Sequence, residues 1–311
     1  MLLTGLALAL TLAQPAPSHV EGPAPSHAEG PARQQAPQTD ETIAVQRGAR
    51  LTVNNHAGEV ILRAWDRDSL RVVARHQPHT RVNVRPGTSG VSISSGGSRG
   101  PASVDYEITA PAWMPVRIEG PYNFVTIEGT QAEVFANTVR GDVIVKGGTG
   151  IVTARSVEGE VQIANARGKI TASSVNEKVT ITDTSGDISA DSVNGRITMT
   201  GIDSKVVEAT TVNGTIVYEG RLAEGGHYSF GTHNGDILLG LPDAVNATFT
   251  FRTYQGSVAT DFQLEGYSAG AARRGRRVTA TIGTGSADVN LETFGGSIRL
   301  RKGSAVRTRG R

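Results

Sequence analysis

The sequence predicts an all-β fold class: a parallel β-solenoid (β-helix) with about 18 residues per coil, two short strands per coil and irregular β ends. Three features lead to this prediction: a fixed aliphatic period, small turn residues at constant positions, and a long block without proline. The aliphatic column has a spacing of nine residues and comprises Val143, Val152, Val161, Ile170, Val179, Ile188, Ile197 and Val206, with Ile216 one residue late. No proline lies between Pro121 and Pro242, as central ladder strands require, because proline cannot donate a backbone hydrogen bond.

The repeat unit is two nines, because the residue two places after each aliphatic alternates between large and small. The large set is Val145, Ile163, Ile181 and Met199, and the small set is Ala154, Ala172 and Ala190. Large side chains on one wall and alanines on the facing wall let two strands approach closely and still fill the core. Alternate side chains of a strand share one face, so each nine supplies one short strand, and successive coils are expected ~4.8 Å apart.

A third column recurs once in each repeat unit and is predicted to point inward from a corner. It comprises Val139, Val157, Val175, Val193 and Val212. Near Glu208 the nine-residue period slips, and an inserted residue, interpreted as a β-bulge, would place Ala209 in the core instead of Glu208.

The turns between strands carry recurrent small or amide residues. Gly141, Gly159, Gly195 and Gly214 each stand two residues before a column position, where a corner is predicted to need the positive φ that glycine adopts at little cost. Asn176, Asn194 and Asn213 recur beside them. We therefore expect an asparagine ladder along one edge of the solenoid.

The chain divides by composition into four parts. Residues 1–13 form a signal-peptide-like apolar segment, too short to span a bilayer, and 14–40 a Pro/Ala-rich linker predicted to be disordered. A single β-solenoid domain is predicted over 41–302, with irregular N-terminal coils (41–130), regular repeats (131–220) and aromatic-rich C-terminal coils with a cap (221–302). A basic tail follows at 303–311.

The strand repeats and their flanks resemble a bacterial domain-of-unknown-function family labelled "putative adhesin". The resemblance covers roughly residues 42–302 and rests on the run 53–60 leading to 64–66, on 106–111, on the G-D-V/I repeats, and on the closing runs 283–291 and 293–298. These motifs are structural turns and strands. The resemblance therefore implies the fold, and it brings no catalytic residues and no cofactor with it.

The function predicted from these features is a non-enzymatic exported β-solenoid, adhesin-like or a cell-envelope binding or scaffold protein, located in the periplasm or at the cell surface of a bacterium. We predict no catalytic residue, no metal ligand and no cofactor, since the chain has no cysteine and its acidic column positions are interrupted by lysine and arginine. The mature chain is expected to have no transmembrane span. Its partner is unknown; a cell-envelope polymer or protein is one candidate, and self-association is another.

An arginine-rich loop is the candidate contact for an anionic partner. It contains Arg273, Arg274, Arg276 and Arg277. Contacts of this kind gain free energy from counterion release. Nucleic acid is not the expected partner, because aromatic residues are not interleaved with the arginines and export would separate the protein from it.

Two alternative functions remain open from the sequence. In the first, the protein is a carbohydrate-active β-helix enzyme, a polysaccharide lyase or hydrolase, in which the neighbouring carboxylates of Asp142 and Glu160 act as an acid and base pair. In the second, it is a self-assembling scaffold of the bactofilin kind, because an uncapped solenoid end is an open template for another chain.

Overall fold

The computed structural model describes residues 39–97, 100–268 and 275–303, and over these ranges the chain is all-β, with 26 strands and no helix. The strands form two sheets of 13 strands each, and most neighbours are parallel. This confirms the all-β prediction. The predicted segment 1–13, the linker 14–40 except for its last two residues, and the tail from 304 lie outside the described residues.

The first sheet, sheet A, begins and ends with short or antiparallel strands. In spatial order it consists of β1 (Thr39–Ala44), β4 (Ser69–His76), β7 (Val104–Pro111), β3 (Ala57–Trp65), β9 (Tyr122–Glu128), β11 (Val143–Lys146), β13 (Val161–Ala164), β15 (Val179–Thr182), β17 (Ile197–Ile202), β19 (Ile216–Gly220), β21 (Ile237–Leu241), β26 (Ile298–Lys302) and β23 (Val258–Thr260).

The second sheet, sheet B, runs alongside it with the same stacking direction. From the C-terminal end it consists of β24 (Val278–Ile282), β22 (Ala247–Thr253), β25 (Ala287–Thr293), β20 (His227–Thr232), β18 (Val206–Thr211), β16 (Ile188–Ser192), β14 (Arg167–Ser174), β12 (Thr149–Ser156), β10 (Val134–Thr138), β8 (Val116–Gly120), β2 (Arg50–Asn54), β6 (Gly90–Gly97) and β5 (Thr80–Gly87).

Paired residues in the central part of each sheet are 18 positions apart. In sheet A, Val143 pairs with Val161, and Val161 with Val179; in sheet B, Val152 pairs with Ile170. The chain thus alternates between the two sheets and returns to each of them after 18 residues. Each strand therefore pairs with the previous strand of its own sheet, and the same positions of both strands face inward. Equivalent residues of successive repeats stack on one another.

The buried faces of both sheets form one hydrophobic core. Val143, Val161 and Val179 are fully buried in sheet A, and Val152 and Ile170 in sheet B. Each buried side chain of this size contributes roughly 1.5–3 kcal/mol. The stacked aliphatic columns are therefore the main source of stability, and the surface ion pairs along the strands are secondary.

The predicted core column is wrong at Val206. This residue is 43% exposed, and Val207 takes the core position instead. Val207 pairs with Ile188, which shifts the offset between paired residues from 18 to 19. The additional residue lies upstream of the predicted point, where the register of β17 against β19 shifts between Thr200 and Ile202. As expected, Ala209 is buried and Glu208 is exposed.

The third valine column was predicted to point inward, and this prediction is wrong. Val139, Val157, Val193 and Val212 are 48%, 38%, 40% and 42% exposed. The preceding residue of each repeat, a serine or threonine, occupies the inward corner instead: Ser156, for example, is buried and donates to the Gly141 carbonyl at 2.9 Å. Since successive side chains alternate in direction, the next residue must face solvent.

The turn glycines are needed for close backbone approach more than for positive φ. Gly141 has a φ of 120°, as predicted, but Gly159, Gly195 and Gly214 lie outside the left-handed region. A Cβ at Gly195 would lie 1.8 Å from the Glu177 carbonyl oxygen of the preceding repeat, and at Gly159 it would lie 2.0 Å from that of Gly141. Any side chain would therefore push adjacent repeats apart.

Antiparallel pairs form three of the four sheet edges at the ends of the stack. At the N-terminal end β1 and β4 pair antiparallel, as do β5 and β6. At the C-terminal end β24 pairs antiparallel with β22, and β23 is an edge strand of three residues. Short and antiparallel edge strands are devices by which sheets avoid adding a further chain.

Candidate binding cleft

Surface depressions lie on the outer face of sheet B, across β18, β20, β25 and β22. Two clefts of about 530 Å³ and 520 Å³ share Ser229 and Asn290 in their walls. They therefore adjoin, and we call them together the polar cleft.

The floor of the polar cleft is made by small residues on β20. Two outward-facing residues of β20 are small: Ser229 lies between Glu208 on β18 and Asn290 on β25, and Gly231 lies between Thr210 and Glu292 on the same two strands. A Cβ added to Gly231 would meet no atom within 4 Å. Small side chains between longer ones on the adjacent strands leave the depression, and hydrogen bonding of all four strands in one sheet keeps it rigid.

The half of the cleft nearer the start of these strands carries charges of both signs. Glu208, His227, Asp288, Thr250 and Arg277 line it. His227 Nδ1 lies 3.4 Å from Asp288 Oδ2, and both side chains are largely exposed. This half therefore offers carboxylate acceptors together with guanidinium, imidazole and hydroxyl groups.

The other half ends at a stack of three aromatic rings. The His233 and Phe294 rings are parallel, with centroids 4.8 Å apart, and Tyr254 lies 5.0 Å from Phe294 at a tilt of 31°. Arg252 lies over Tyr254 at 5.1 Å and also pairs with Glu292 at 3.1 Å. The faces of Phe294 are covered by its two neighbours in this stack, and polar groups adjoin it.

This arrangement suits binding of a hydroxyl-rich or mixed-charge polymer. Amide, carboxylate, hydroxyl and guanidinium groups project from adjacent strands at intervals of ~4.8 Å. The trough crosses several strands, so one extended ligand could satisfy several of these groups at once.

The arginine-rich loop reaches this region in part. Arg277 lines the cleft, and Arg276 is exposed beside it. Arg273 and Arg274 lie outside the described residues. The polar cleft itself was not predicted; the available signal was a pair of small outward residues, Ser229 and Gly231, within an otherwise well-formed strand.

Asp142 and Glu160 are neighbours on the surface, as the enzyme alternative requires, but both already have partners. The Asp142 carboxylate accepts a hydrogen bond from the Glu160 backbone N–H at 2.8 Å. The Glu160 carboxylate pairs with Lys178 at 2.8 Å, and this contact raises the pKa of the lysine. Neither residue lines the polar cleft.

The asparagine ladder forms one exposed edge. Asn194 donates to the Asn176 side-chain oxygen at 2.9 Å, and Asn213 donates to that of Asn194 at 3.0 Å. Asn234 extends the ladder by donating to Asn213 at 3.0 Å. The two inner amides, Asn194 and Asn213, thereby each donate one bond and accept one within the ladder, whereas Asn176 only accepts and Asn234 only donates.

The described residues contain neither a membrane-spanning helix nor a cluster of metal-ligating side chains. No helix there has the length and hydropathy needed to cross a membrane. In the same ranges, no group of three or more His, Asp or Glu side chains is placed to hold a metal ion.

Comparison with known proteins gives a distant structural likeness. No protein-family model and no curated protein matches the chain. The fold is similar to the crystal structure of a protein described as a "putative cell adhesion protein" from Clostridium sporogenes, with 11% identity and a TM-score of 0.25, over 85% of this chain and 99% of that chain. The resemblance to the "putative adhesin" family stays a prediction.

Proposed function

We propose that the protein is a non-enzymatic, exported β-solenoid of the "putative adhesin" kind, which binds a cell-envelope polymer in the periplasm or at the cell surface. In this proposal the 18-residue offset between paired strands is one coil of the solenoid. The observation that carries the proposal is the polar cleft, a trough of polar and charged side chains on a rigid sheet.

Binding is favoured over catalysis because most charged side chains near the cleft, and Glu160 on the neighbouring surface, already have partners. His227 is close to Asp288, Arg252 pairs with Glu292, and Glu160 pairs with Lys178. The Arg252–Glu292 and Lys178–Glu160 pairs present both signs of charge, and they hold their carboxylates in fixed positions that suit recognition.

The test fills the cleft without disturbing the fold. Gly231→Gln adds a side chain into open space on the floor of the cleft, and Gly96→Gln is the matched control, because Gly96 also lies in a strand of sheet B and its added Cβ would meet no atom within 4 Å. The probes are peptidoglycan sacculi and surface polysaccharide prepared from the native host, with binding measured by co-sedimentation.

We expect the wild-type protein and Gly96→Gln to bind one of these polymers, and Gly231→Gln to bind it at least about tenfold more weakly, a loss of about 1.4 kcal/mol. Failure of the wild-type protein to bind either polymer, or equal binding by both variants, would refute the proposal. Mass spectrometry of the mature N-terminus in fractionated host cells tests export separately.

A cleavage assay tests the alternative that the protein is an enzyme. The same polysaccharides are incubated with the protein, and newly formed reducing ends are quantified. Cleavage that disappears in Asp142→Asn or Glu160→Gln would replace the binding proposal with a catalytic one.

A further inference from the structure

The third valine column forms a continuous apolar ridge, which we call the valine ridge. It comprises Val139, Val157, Val175, Val193 and Val212, of which Val175 at the centre is half-buried and the other four are exposed. The ridge follows the corner where sheet B strands end, and backbone bonds connect its rungs: the N–H of Val157 donates to the Val139 carbonyl, and that of Val212 to the Val193 carbonyl. Its length is roughly 19 Å, four steps of ~4.8 Å.

The ridge is unusual because single exposed valines need no explanation, whereas a contiguous row of them marks an interaction surface. At its ends the row continues into aromatic residues, Tyr122 at one end and the His233–Phe294 stack at the other, and Tyr122 and Phe294 are 47% and 38% exposed. The apolar strip thus extends along most of the stack.

We propose that the valine ridge is the contact between two copies of this chain, packed antiparallel about a two-fold axis at Val175. A second copy has the same rung spacing, so its β-branched side chains can interdigitate with those of the first along the whole row. Identical side chains meshing at one repeat form dry, well-packed contacts, and a partner with another spacing would lose register within a few rungs. A symmetric contact of this kind is self-complementary and closes as a dimer.

The charges beside the ridge favour the antiparallel arrangement of the two copies and place its two-fold axis at Val175. Arg155 and Asp191 lie on the outward face of sheet B, one rung on either side of Ser173. Both are exposed, and neither pairs with an opposite charge in the described part of the chain. A two-fold axis through the Val175 rung brings Arg155 of each copy beside Asp191 of the other, which creates two intermolecular ion pairs.

The opposite flank is compatible with the same axis. It carries Asn176 at the centre and Asn194 on the next rung, and the antiparallel arrangement sets Asn194 against Glu158 of the second copy. Glu177 and Lys178 follow Asn176 at the axis, so each copy brings one charge of each sign there. The proposal does not depend on the polar cleft or on polymer binding.

Cysteine crosslinking tests the geometry, since the chain has no native cysteine. At the axis Val175 meets Val175 of the second copy, so Val175→Cys is expected to give a disulfide-linked dimer on mild oxidation, resolved by non-reducing electrophoresis. Val193→Cys is the matched control. It meets Val157 of the second copy, so it should crosslink when mixed with Val157→Cys and little by itself.

Solution measurements test the energetics. Sedimentation velocity over a concentration range should show a monomer–dimer equilibrium that Arg155→Asp weakens at least about tenfold, and that the double variant Arg155→Asp with Asp191→Arg restores. Thermal unfolding of each variant confirms that it is folded. A monomer at all concentrations together with no crosslinking of Val175→Cys overturns the proposal, and self-crosslinking of Val193→Cys as efficient as that of Val175→Cys overturns the antiparallel arrangement.

Discussion

Replacing Ser174 by alanine should destabilise the protein far more than the same change at the adjacent Ser173. Ser174 is 3% exposed and turns inward at the corner before the valine ridge. Its hydroxyl donates to the Gly159 carbonyl of the preceding repeat at 2.8 Å and accepts from the backbone N–H of Glu177 at 3.2 Å. One side chain thus links two successive repeats and fixes the turn between them.

The expected loss of unfolding free energy in Ser174→Ala follows from these two hydrogen bonds. A typical hydrogen bond contributes about 0.5–1.5 kcal/mol net, and a buried group left without its partner costs about 1–3 kcal/mol. Alanine at 174 removes both bonds in a place that water does not reach, so the expected loss is about 2 kcal/mol. Ser173 faces outward and its hydroxyl makes no side-chain hydrogen bond among the described residues, so Ser173→Ala should change stability by less than about 0.5 kcal/mol.

Guanidinium unfolding of both variants measures the difference, and native-state hydrogen exchange at the Glu177 amide locates it, because that amide loses its acceptor only in Ser174→Ala. Ser174→Thr is the rescue variant. Threonine already fills the equivalent corner at Thr211 and Thr232, where its hydroxyl donates to the Gly195 and Gly214 carbonyls at 3.2 and 3.0 Å. If Ser174→Ala and Ser173→Ala unfolded within about 0.5 kcal/mol of each other, the hydroxyl column would have no structural role.

Three further changes test other parts of the structure. Val207→Ala should lower the free energy of unfolding by about 2 kcal/mol and Val206→Ala should lower it little, since only Val207 of the two is buried. Equal losses of stability in urea unfolding would contradict the observed register of β18. Gly195→Ala should lower the melting temperature strongly and Gly231→Ala should not, because only at Gly195 would a Cβ meet backbone. Similar changes in melting temperature would contradict the close approach of adjacent repeats at Gly195. Burial raises the pKa of Tyr106 to about 12 from 10.0, so its neutral phenol stabilises the fold below pH 10 and this contribution is lost as pH rises towards 12; Tyr106→Phe should lessen that alkaline loss, and an unchanged pH profile would exclude Tyr106 as its source.

The buried columns could be predicted because two simple periods reinforce each other. Strand alternation puts every second residue inside, and the nine-residue spacing repeats that choice so often that coincidence is excluded. Val152 and Ile170 were identified as core in this way, and they are fully buried. The error at Val206 has a local cause, since one extra residue near Gly201 moves the register without altering the local alternation.

The valine ridge shows where periodicity fails. A period of 18 places a residue at one corner of every repeat but does not tell whether it points inward or outward. The informative residue was the one before it: Ser156, Ser174 and Thr211 are small hydroxyl residues whose side chains can satisfy a turn carbonyl inside the corner. A valine that follows an inward hydroxyl in a strand has to face outward.

The polar cleft could not be predicted because it joins strands that are distant in the sequence. Going by chain order, β22 would stack directly on β20, yet β25 lies between them in sheet B, and β26 lies between β21 and β23 in sheet A. Residues 287–302 therefore form a repeat that lies between two repeats that precede it in the sequence. No local pattern in β25 indicates this insertion.

The same device is present at the N-terminal end, where β2 lies between β8 and β6, and β3 lies between β9 and β7. In both places strands farther out in the stack, β6 and β7 at one end and β22 and β23 at the other, lie in sequence between strands deeper in the stack, so they cannot fray separately from a chain end. The antiparallel strands then close the edges. Ends that are interleaved and closed leave the long sides of the stack, which carry the polar cleft and the valine ridge, as the surfaces open to partners. Lateral association along the ridge is for this reason physically better supported than the end-to-end assembly that the repeat pattern alone suggests.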